Sequence, residues 1–155
     1  PDGLDPKNGA RVMSLQNPSS KMSKSDEKVN GCVYVLDKPE TIMKKFKRAI
    51  TDTDTKIYFS EDKPGISNLM TIYGAVTGNT MELIEKEFDG KGYGDFKTAV
   101  GEAVVEHLRP IQDEYNRIIK DRAYMEETWK KADAFAQNFS QRTLDKVMKK
   151  IGYIK

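Results

Sequence analysis

The amino-acid sequence predicts a mainly α fold, in which a short strand–loop–strand segment precedes a bundle of about five helices. Two observations support this prediction. The best strand signal lies within the first 36 residues, whereas apolar residues recur at helical spacing through most of the remaining chain. The chain has 155 residues, of which 37% are hydrophobic and 32% are charged. This size suits one domain, or a small domain with part of another, with a modest core and a charged surface.

The first 36 residues are predicted to contain two short strands. Residues 1–10 are rich in Pro, Gly, Asp and Asn and are expected to form a loop. The alternation over Arg11–Leu15 predicts the first strand. The β-branched and aromatic run Cys32–Leu36 predicts the second, which stops at Asp37. Between them, about residues 17–31 form a polar loop rich in hydroxyl groups.

Three helices are predicted after this segment. Asp37 is expected to be the N-cap of the first helix, with Pro39 in its first turn and Glu40 three residues after the cap. Gly78 and Gly90 are expected to end the second and third helices. Thr80 is expected to cap the third helix. The inward-facing residues are predicted to be Ile42, Met43, Phe46 and Ile50 in the first helix, Ile66, Leu69, Met70, Tyr73 and Val76 in the second, and Leu83, Ile84 and Phe88 in the third.

Two longer helices are predicted in the remainder of the chain. Pro110 lies inside the fourth helix and predicts a kink or short break with the loss of one hydrogen bond. The last helix is expected over about residues 126–151. The apolar residues of these helices are Phe96, Val100, Val104, Leu108, Ile111, Tyr115 and Ile118 in the fourth, and Trp129, Ala132, Ala136, Phe139, Thr143 and Val147 in the last.

Charge and cysteine content restrict the functional classes. A net charge of +2 does not by itself indicate a nucleic-acid partner. Residues 130–155, however, contain seven Lys or Arg and only two Asp. The favoured interpretation of this local excess is a solvated helix face, and the alternative is a segment that lies near phosphates. The single cysteine, Cys32, excludes an internal disulfide and indicates a reducing compartment. No apolar run approaches the ~18 residues of a membrane span, and Pro1 in place of an initiator Met indicates a fragment.

The pentapeptide Lys21-Met22-Ser23-Lys24-Ser25 carries the strongest functional signal. Its two lysines, three residues apart, can place compact ammonium groups on phosphate oxygens. The serine hydroxyls and the backbone N–H groups of such a turn can also donate to phosphate. No metal ligands are predicted. A flexible surface loop rich in Ser and Lys is the alternative interpretation of these five residues.

The pentapeptide matches the second signature of class I aminoacyl-tRNA synthetases, and its surroundings resemble the family of bacterial-type tryptophanyl-tRNA synthetases. The resemblance covers nearly the whole chain, while the phenylalanine-glycine version of the loop that tyrosyl relatives usually carry is absent. The matching stretches are GARVMSL at residues 9–15, KPGISNL at 63–69, GKGYG at 90–94 and LRPI at 108–111.

The resemblance implies a division of the chain and an activity for the parent enzyme. Residues 1–36 would be the C-terminal remnant of a Rossmann-like catalytic domain with the KMSKS loop. Residues 37–155 would be the helical anticodon-binding domain, whose last helix returns toward the catalytic domain. The parent, a cytoplasmic homodimer, would activate tryptophan with ATP and Mg²⁺ and charge tRNA-Trp. Lys21 and Lys24 would bind the pyrophosphate end of ATP, with Met22, Ser23 and Ser25 completing the site.

The chain also departs from the family. The His-x-Gly-His-like motif that clasps the ATP phosphates is absent from these residues, and the tryptophan pocket would lie upstream, so the isolated chain is predicted to be inactive. His107 lies four residues from both Ala103 and Ile111 and is predicted to be a packed core histidine. Two alternatives remain open: another class I synthetase, such as a methionyl enzyme, or a non-catalytic helical RNA-binding or interaction module.

Two weaker patterns receive structural interpretations. The glycines at positions 90, 92 and 94 have the wrong spacing for a phosphate loop and no preceding strand, so they predict a helix end and a tight turn. The acidic residues Asp52, Asp54, Glu61 and Asp62 lack the spacing of a metal loop and are predicted to be caps and solvated loop.

Overall fold

A computed structural model describes residues 11–25 and 29–153. The loop predicted at residues 1–10 lies outside the described residues. Within them the chain forms α1 (Pro39–Lys47), α2 (Pro64–Thr77), α3 (Met81–Glu87), α4 (Tyr93–Lys120) and α5 (Arg122–Lys150). The predicted mainly α fold class is therefore confirmed. None of these helices is long and apolar enough to cross a membrane.

The two predicted strands are wrong for the described part of the chain. Met13 and Lys21 form an isolated antiparallel bridge only. The backbone of Met13 pairs instead with the side-chain amide of Asn68, donating to Oδ1 at 2.8 Å and accepting from Nδ2 at 2.9 Å. In the second segment, the Asp37 N–H donates to the Tyr34 carbonyl at 3.0 Å and closes a turn. A strand forms only beside a partner strand, and here a side chain and a turn satisfy those backbone groups.

The helix-end signals follow the prediction at two of four positions. Gly90 does not end the third helix, because α3 stops at Glu87 with Phe88 as its C-cap. Thr80 caps α3 by accepting from the Leu83 N–H, and Gly78 ends α2 in the left-handed conformation with φ 79°. Asp37 does not cap α1, because Lys38 occupies that position without a side-chain hydrogen bond. The Asp37 carboxylate accepts from the Lys45 ammonium at 2.6 Å instead. Leaving a buried ammonium without a counter-charge costs more free energy than leaving a helix without an N-cap side chain.

One hydrophobic core joins the signature segment to the first four helices. An aromatic cluster lies within it, where the rings of Phe88 and Phe96 meet edge to face at 4.8 Å. Ile50 and Leu83, which were predicted to face inward, are exposed. Ile50 lies beyond the end of α1, so the helical spacing of that helix does not determine which way its side chain faces. On α3, Ile84 is buried and the adjacent Leu83 faces solvent. The fully buried side chains include Leu15, Ile42, Phe46, Ile66, Leu69, Met70, Ile84, Phe96 and Val100.

The chain divides into two compact units between Gln112 and Asp113. The first unit holds the core and the described part of the signature loop. In α4, which runs unbroken through Pro110, the predicted break is absent. His107 is exposed and not a core residue, because the flanking Ile111 is itself half exposed.

The second unit contains the end of α4 and all of α5. The last helix begins at Arg122, earlier than predicted, because the Asp121 carboxylate caps it by accepting from the Tyr124 N–H at 3.0 Å. The predicted burial of its apolar residues is wrong: Trp129 is 63% exposed and Phe139 is 69% exposed. An apolar stripe on a helix is buried only where another element covers it, and α5 has no buried residue in this structure.

Gly65 lies very close to the backbone of another segment of the chain. A Cβ atom at this position would lie 2.3 Å from the Ile50 carbonyl oxygen, whereas one at Gly92 would meet nothing within 4 Å. We therefore expect Gly65→Ala to lower the free energy of unfolding by about 1–3 kcal/mol through overpacking. Gly92→Ala, the matched control, should change it by less than about 1 kcal/mol. Urea denaturation measures both, and equal stability of the two variants would contradict the close approach.

Candidate functional site

The signature loop leaves the bridge between Met13 and Lys21 with its charged side chains in solvent. The Met22 N–H donates to the Val12 carbonyl at 3.0 Å, and the half-buried Met22 side chain packs against the core. The side chains of Lys21, Ser23, Lys24 and Ser25 are exposed. Met22 therefore anchors the loop, while its neighbours on both sides remain accessible to a ligand.

The second half of the loop forms a turn at Lys24 and Ser25. The Ser25 N–H donates to the Ser23 hydroxyl at 3.3 Å. The Lys24 carbonyl accepts from the Tyr34 hydroxyl at 3.2 Å, a contact that joins residues ten positions apart. Tyr34, which lies outside the loop, therefore holds the turn at Lys24, the second lysine of the signature.

The chemistry of these groups fits an anionic ligand. Residues 21–25 offer two ammonium groups and two hydroxyls, and they contain no carboxylate. Among the residues that the structure describes, no group of three His, Cys, Asp or Glu side chains could hold a metal ion. A magnesium ion that accompanies nucleotide phosphates is commonly held by those phosphates and by water, with few protein carboxylates.

Lys45 is a site residue that the sequence analysis missed. Its side chain projects from α1 into the protein and is almost fully buried. The Nζ atom lies 2.6 Å from the Asp37 carboxylate, 2.7 Å from the Cys32 carbonyl oxygen and 4.7 Å from the ring centroid of Tyr34. The available signal was its position in the apolar stripe of the first helix, directly before Phe46, where a charged residue requires partners.

Two other helices also hold the backbone around the loop. Asn68 of α2 binds both backbone groups of Met13. Gln112 of α4 donates through Nε2 to the Val35 carbonyl at 2.7 Å and to the Asp37 carbonyl at 3.0 Å. Polar side chains from α1, α2 and α4 therefore fix the two segments that flank the signature loop.

A second polar cluster surrounds Lys63 at the start of α2. The Lys63 Nζ atom lies 2.6 Å from the Asp54 carboxylate, 3.1 Å from the Tyr93 hydroxyl and 3.6 Å from Asp52. The Tyr93 hydroxyl donates to Asp52 at 2.6 Å. The prediction of a solvated acidic loop holds for Asp54, whose side chain is 47% exposed, although it also pairs with the buried Lys63. It is wrong for Asp52, which is half-buried against Lys63 and Tyr93. The turn predicted from the three glycines is confirmed by Gly90, with φ 75°.

This cluster shifts the ionisation of its members. Burial alone would raise the pKa of Asp52, but the hydrogen bond from Tyr93 and a backbone N–H outweigh it, and the pKa is lowered. Burial and the Asp52 carboxylate raise the pKa of Tyr93 to about 12. Burial would lower the pKa of Lys63, but hydrogen bonds to Asp54 and Tyr93 raise it above its ordinary value.

We expect the cluster to make stability depend on pH at both extremes. The lowered pKa of Asp52 contributes stability above its ordinary value of 3.8, and this contribution is lost as the pH falls through the lower folded value. The raised pKa of Tyr93 contributes stability below its ordinary value of 10.0, and this is lost as the pH rises toward about 12. Urea unfolding of Asp52→Asn should therefore depend less on pH below about pH 4 than unfolding of the parent chain. Parallel curves for the two proteins would exclude Asp52 as a source of acid sensitivity.

Comparison with known proteins places the chain in a family, which agrees with a loop that offers ammonium and hydroxyl groups to an anionic ligand. Residues 1–109 match the family model described as tRNA synthetases class I (W and Y), and the chain belongs to this family. Within it, the chain is similar to the tryptophan enzymes. It is 45% identical over 154 residues to the tryptophan–tRNA ligase of Wolinella succinogenes, covering 99% of this chain and 47% of the relative. It is 48% identical over 152 residues to that of Listeria monocytogenes, covering 97% of this chain and 44% of the relative.

The solved structures lead to the same group. The crystal structure of tryptophanyl-tRNA synthetase from Mycoplasma pneumoniae superposes with a TM-score of 0.75 at 31% sequence identity. The alignment covers 97% of this chain and 47% of that chain. The chain therefore spans about half the length of the relatives that it matches.

Proposed function

We propose that this chain is the C-terminal part of a tryptophan–tRNA ligase, which activates tryptophan with ATP and charges tRNA-Trp. The observation that supports this most is the exposed pair Lys21 and Lys24 on an anchored loop, in a chain whose relatives carry that name. Residues 1–36 would belong to the catalytic domain. Residues 37–155 would form the anticodon-binding domain of a cytoplasmic homodimer.

The proposed reaction explains why the loop carries two ammonium groups. A tryptophan carboxylate oxygen attacks the α-phosphorus of ATP, the new P–O bond forms the adenylate, and the bond to pyrophosphate breaks. Negative charge accumulates on the α-phosphate oxygens and on the departing pyrophosphate. The Lys21 and Lys24 ammonium groups would bind those oxygens, and Ser23 and Ser25 would donate from their hydroxyls. Magnesium would neutralise part of the phosphate charge when it is bound with ATP.

The second unit supports the proposed role in tRNA recognition. Its helix α5 leaves Trp129 and Phe139 exposed, as expected of a helix that returns toward a catalytic domain and is covered there. The sequence of residues 130–155, with seven Lys or Arg against two Asp, would favour contact with tRNA phosphates.

Pyrophosphate exchange tests the proposed function. We expect a polypeptide of the relatives' full length that contains this chain to exchange labelled pyrophosphate into ATP with tryptophan, and not with tyrosine or methionine. The isolated chain should show no exchange above background, because the His-x-Gly-His-like motif and the tryptophan pocket are not among its residues, and Lys21 and Lys24 alone would not position both substrates. Exchange that depends on methionine would favour the other class I synthetase. Absence of exchange with all three amino acids would favour the non-catalytic RNA-binding module.

A further inference from the structure

We propose that Lys45 and Tyr34 are positioning residues for the signature loop. Lys45 fixes the ring and backbone of Tyr34, and the Tyr34 hydroxyl in turn holds the backbone of Lys24. This inference rests on the proposed function, since it concerns where the Lys24 ammonium lies during the activation of tryptophan. Neither residue belongs to the signature itself.

The contact between Tyr34 and Lys24 is the first step of the argument. The Tyr34 hydroxyl donates to the Lys24 carbonyl oxygen at 3.2 Å. Both side chains are exposed, so the bond is not a consequence of core packing. It restrains the backbone of Lys24 while leaving the ammonium group accessible to a ligand.

The second step is the way in which Tyr34 is itself held. Its N–H donates to the Asp37 carboxylate at 2.9 Å, and its carbonyl accepts from the Asp37 N–H at 3.0 Å. The Lys45 ammonium lies 4.7 Å from the centroid of its ring, in the range of a cation–π contact. The same ammonium binds Asp37 at 2.6 Å. Lys45 therefore restrains the position of Tyr34 in two ways: it contacts the ring directly, and it binds Asp37, which closes the turn at the Tyr34 backbone.

The third step links this arrangement to the helices. Lys45 is part of α1, and Gln112 of α4 binds the carbonyls of Val35 and Asp37 in the same turn. A small displacement of either helix would move the turn and, through the Tyr34 hydroxyl, the Lys24 carbonyl. Because misplacement of a catalytic group by about 1 Å can cost roughly a hundredfold in rate, this contact would affect the chemical step.

The test compares two Tyr→Phe variants in the full-length polypeptide that contains this chain. Tyr34→Phe removes the hydroxyl that binds Lys24, whereas Tyr115→Phe removes an exposed hydroxyl elsewhere and is the matched control. We expect Tyr34→Phe to lower kcat of tryptophan-dependent exchange roughly three- to tenfold, the range for one neutral hydrogen bond, with KM for tryptophan unchanged. The control should keep both constants.

A second measurement on the isolated chain does not depend on activity. Trypsin cleaves after exposed lysines, and release of the Lys24 backbone should increase the cleavage rate after Lys24 in Tyr34→Phe. Cleavage after Lys120 serves as the internal reference. Unchanged cleavage after Lys24 would overturn the anchoring, and increased cleavage with unchanged kcat would overturn the positioning role. If the parent full-length protein shows no exchange, the proposed function fails, and the cleavage result still decides whether Tyr34 anchors the loop.

Discussion

Lys24→Ala is expected to reduce tryptophan-dependent pyrophosphate exchange by roughly a hundred- to a thousandfold in the full-length polypeptide that contains this chain. Loss of a preorganised group that stabilises charge in the transition state has an effect of this size. The Lys24 side chain is exposed, so the urea midpoint should not change. Lys44→Ala, on the exposed side of α1, is the matched control and should retain full activity.

The division of this effect between kcat and KM for ATP gives additional information. If Lys24 acts mainly while the bond to pyrophosphate breaks, the loss should appear in kcat, with a smaller rise in KM for ATP. Retention of exchange within threefold of the parent protein by Lys24→Ala would contradict the role of Lys24.

Phe96→Ala is expected to produce the largest loss of stability in the chain. Phe96 is fully buried and contacts the rings of Phe88 and Tyr73, with centroids 4.8 Å and 6.0 Å away. Its truncation leaves a cavity in the core and should cost about 3–5 kcal/mol of the free energy of unfolding. Urea unfolding of the isolated chain measures the loss directly.

The control for this substitution is another phenylalanine. Phe135 on α5 is 75% exposed, and Phe135→Ala should change the free energy of unfolding by less than about 0.5 kcal/mol. Equal losses for the two variants would contradict the placement of the core. A loss below about 1 kcal/mol for Phe96→Ala would show that this site collapses around the truncated side chain.

The parts of the fold that local signals determine could be predicted from the sequence. Helical spacing located the helices, and Thr80 and Gly78 acted as cap and stop because their side-chain and backbone properties operate over three or four residues. The same holds for Phe46 and Phe96, whose periodic positions place them in the core. The signature lysines could be identified because all five residues of the motif are specified.

The features that depend on distant partners could not be predicted. The strand expected at Arg11–Leu15 is absent because Asn68, more than fifty residues away, binds the backbone of Met13. Lys45 looked like one of several basic residues of a helix until its contacts with Asp37 and Tyr34 were known. Burial on α5 was predicted from periodicity alone, but periodicity shows which residues share a face and not what covers that face.

Binding of tRNA by the isolated chain tests most directly whether its helices belong to a tRNA ligase for tryptophan. Affinity for tRNA-Trp and for a non-cognate tRNA is measured at two salt concentrations, with circular dichroism as the check that the helices are folded. The account predicts tighter binding of tRNA-Trp at both concentrations, with an affinity that falls as salt increases. Equal affinity of the folded chain for both tRNAs, or no binding to either, would contradict the assignment of residues 37–155 to anticodon recognition.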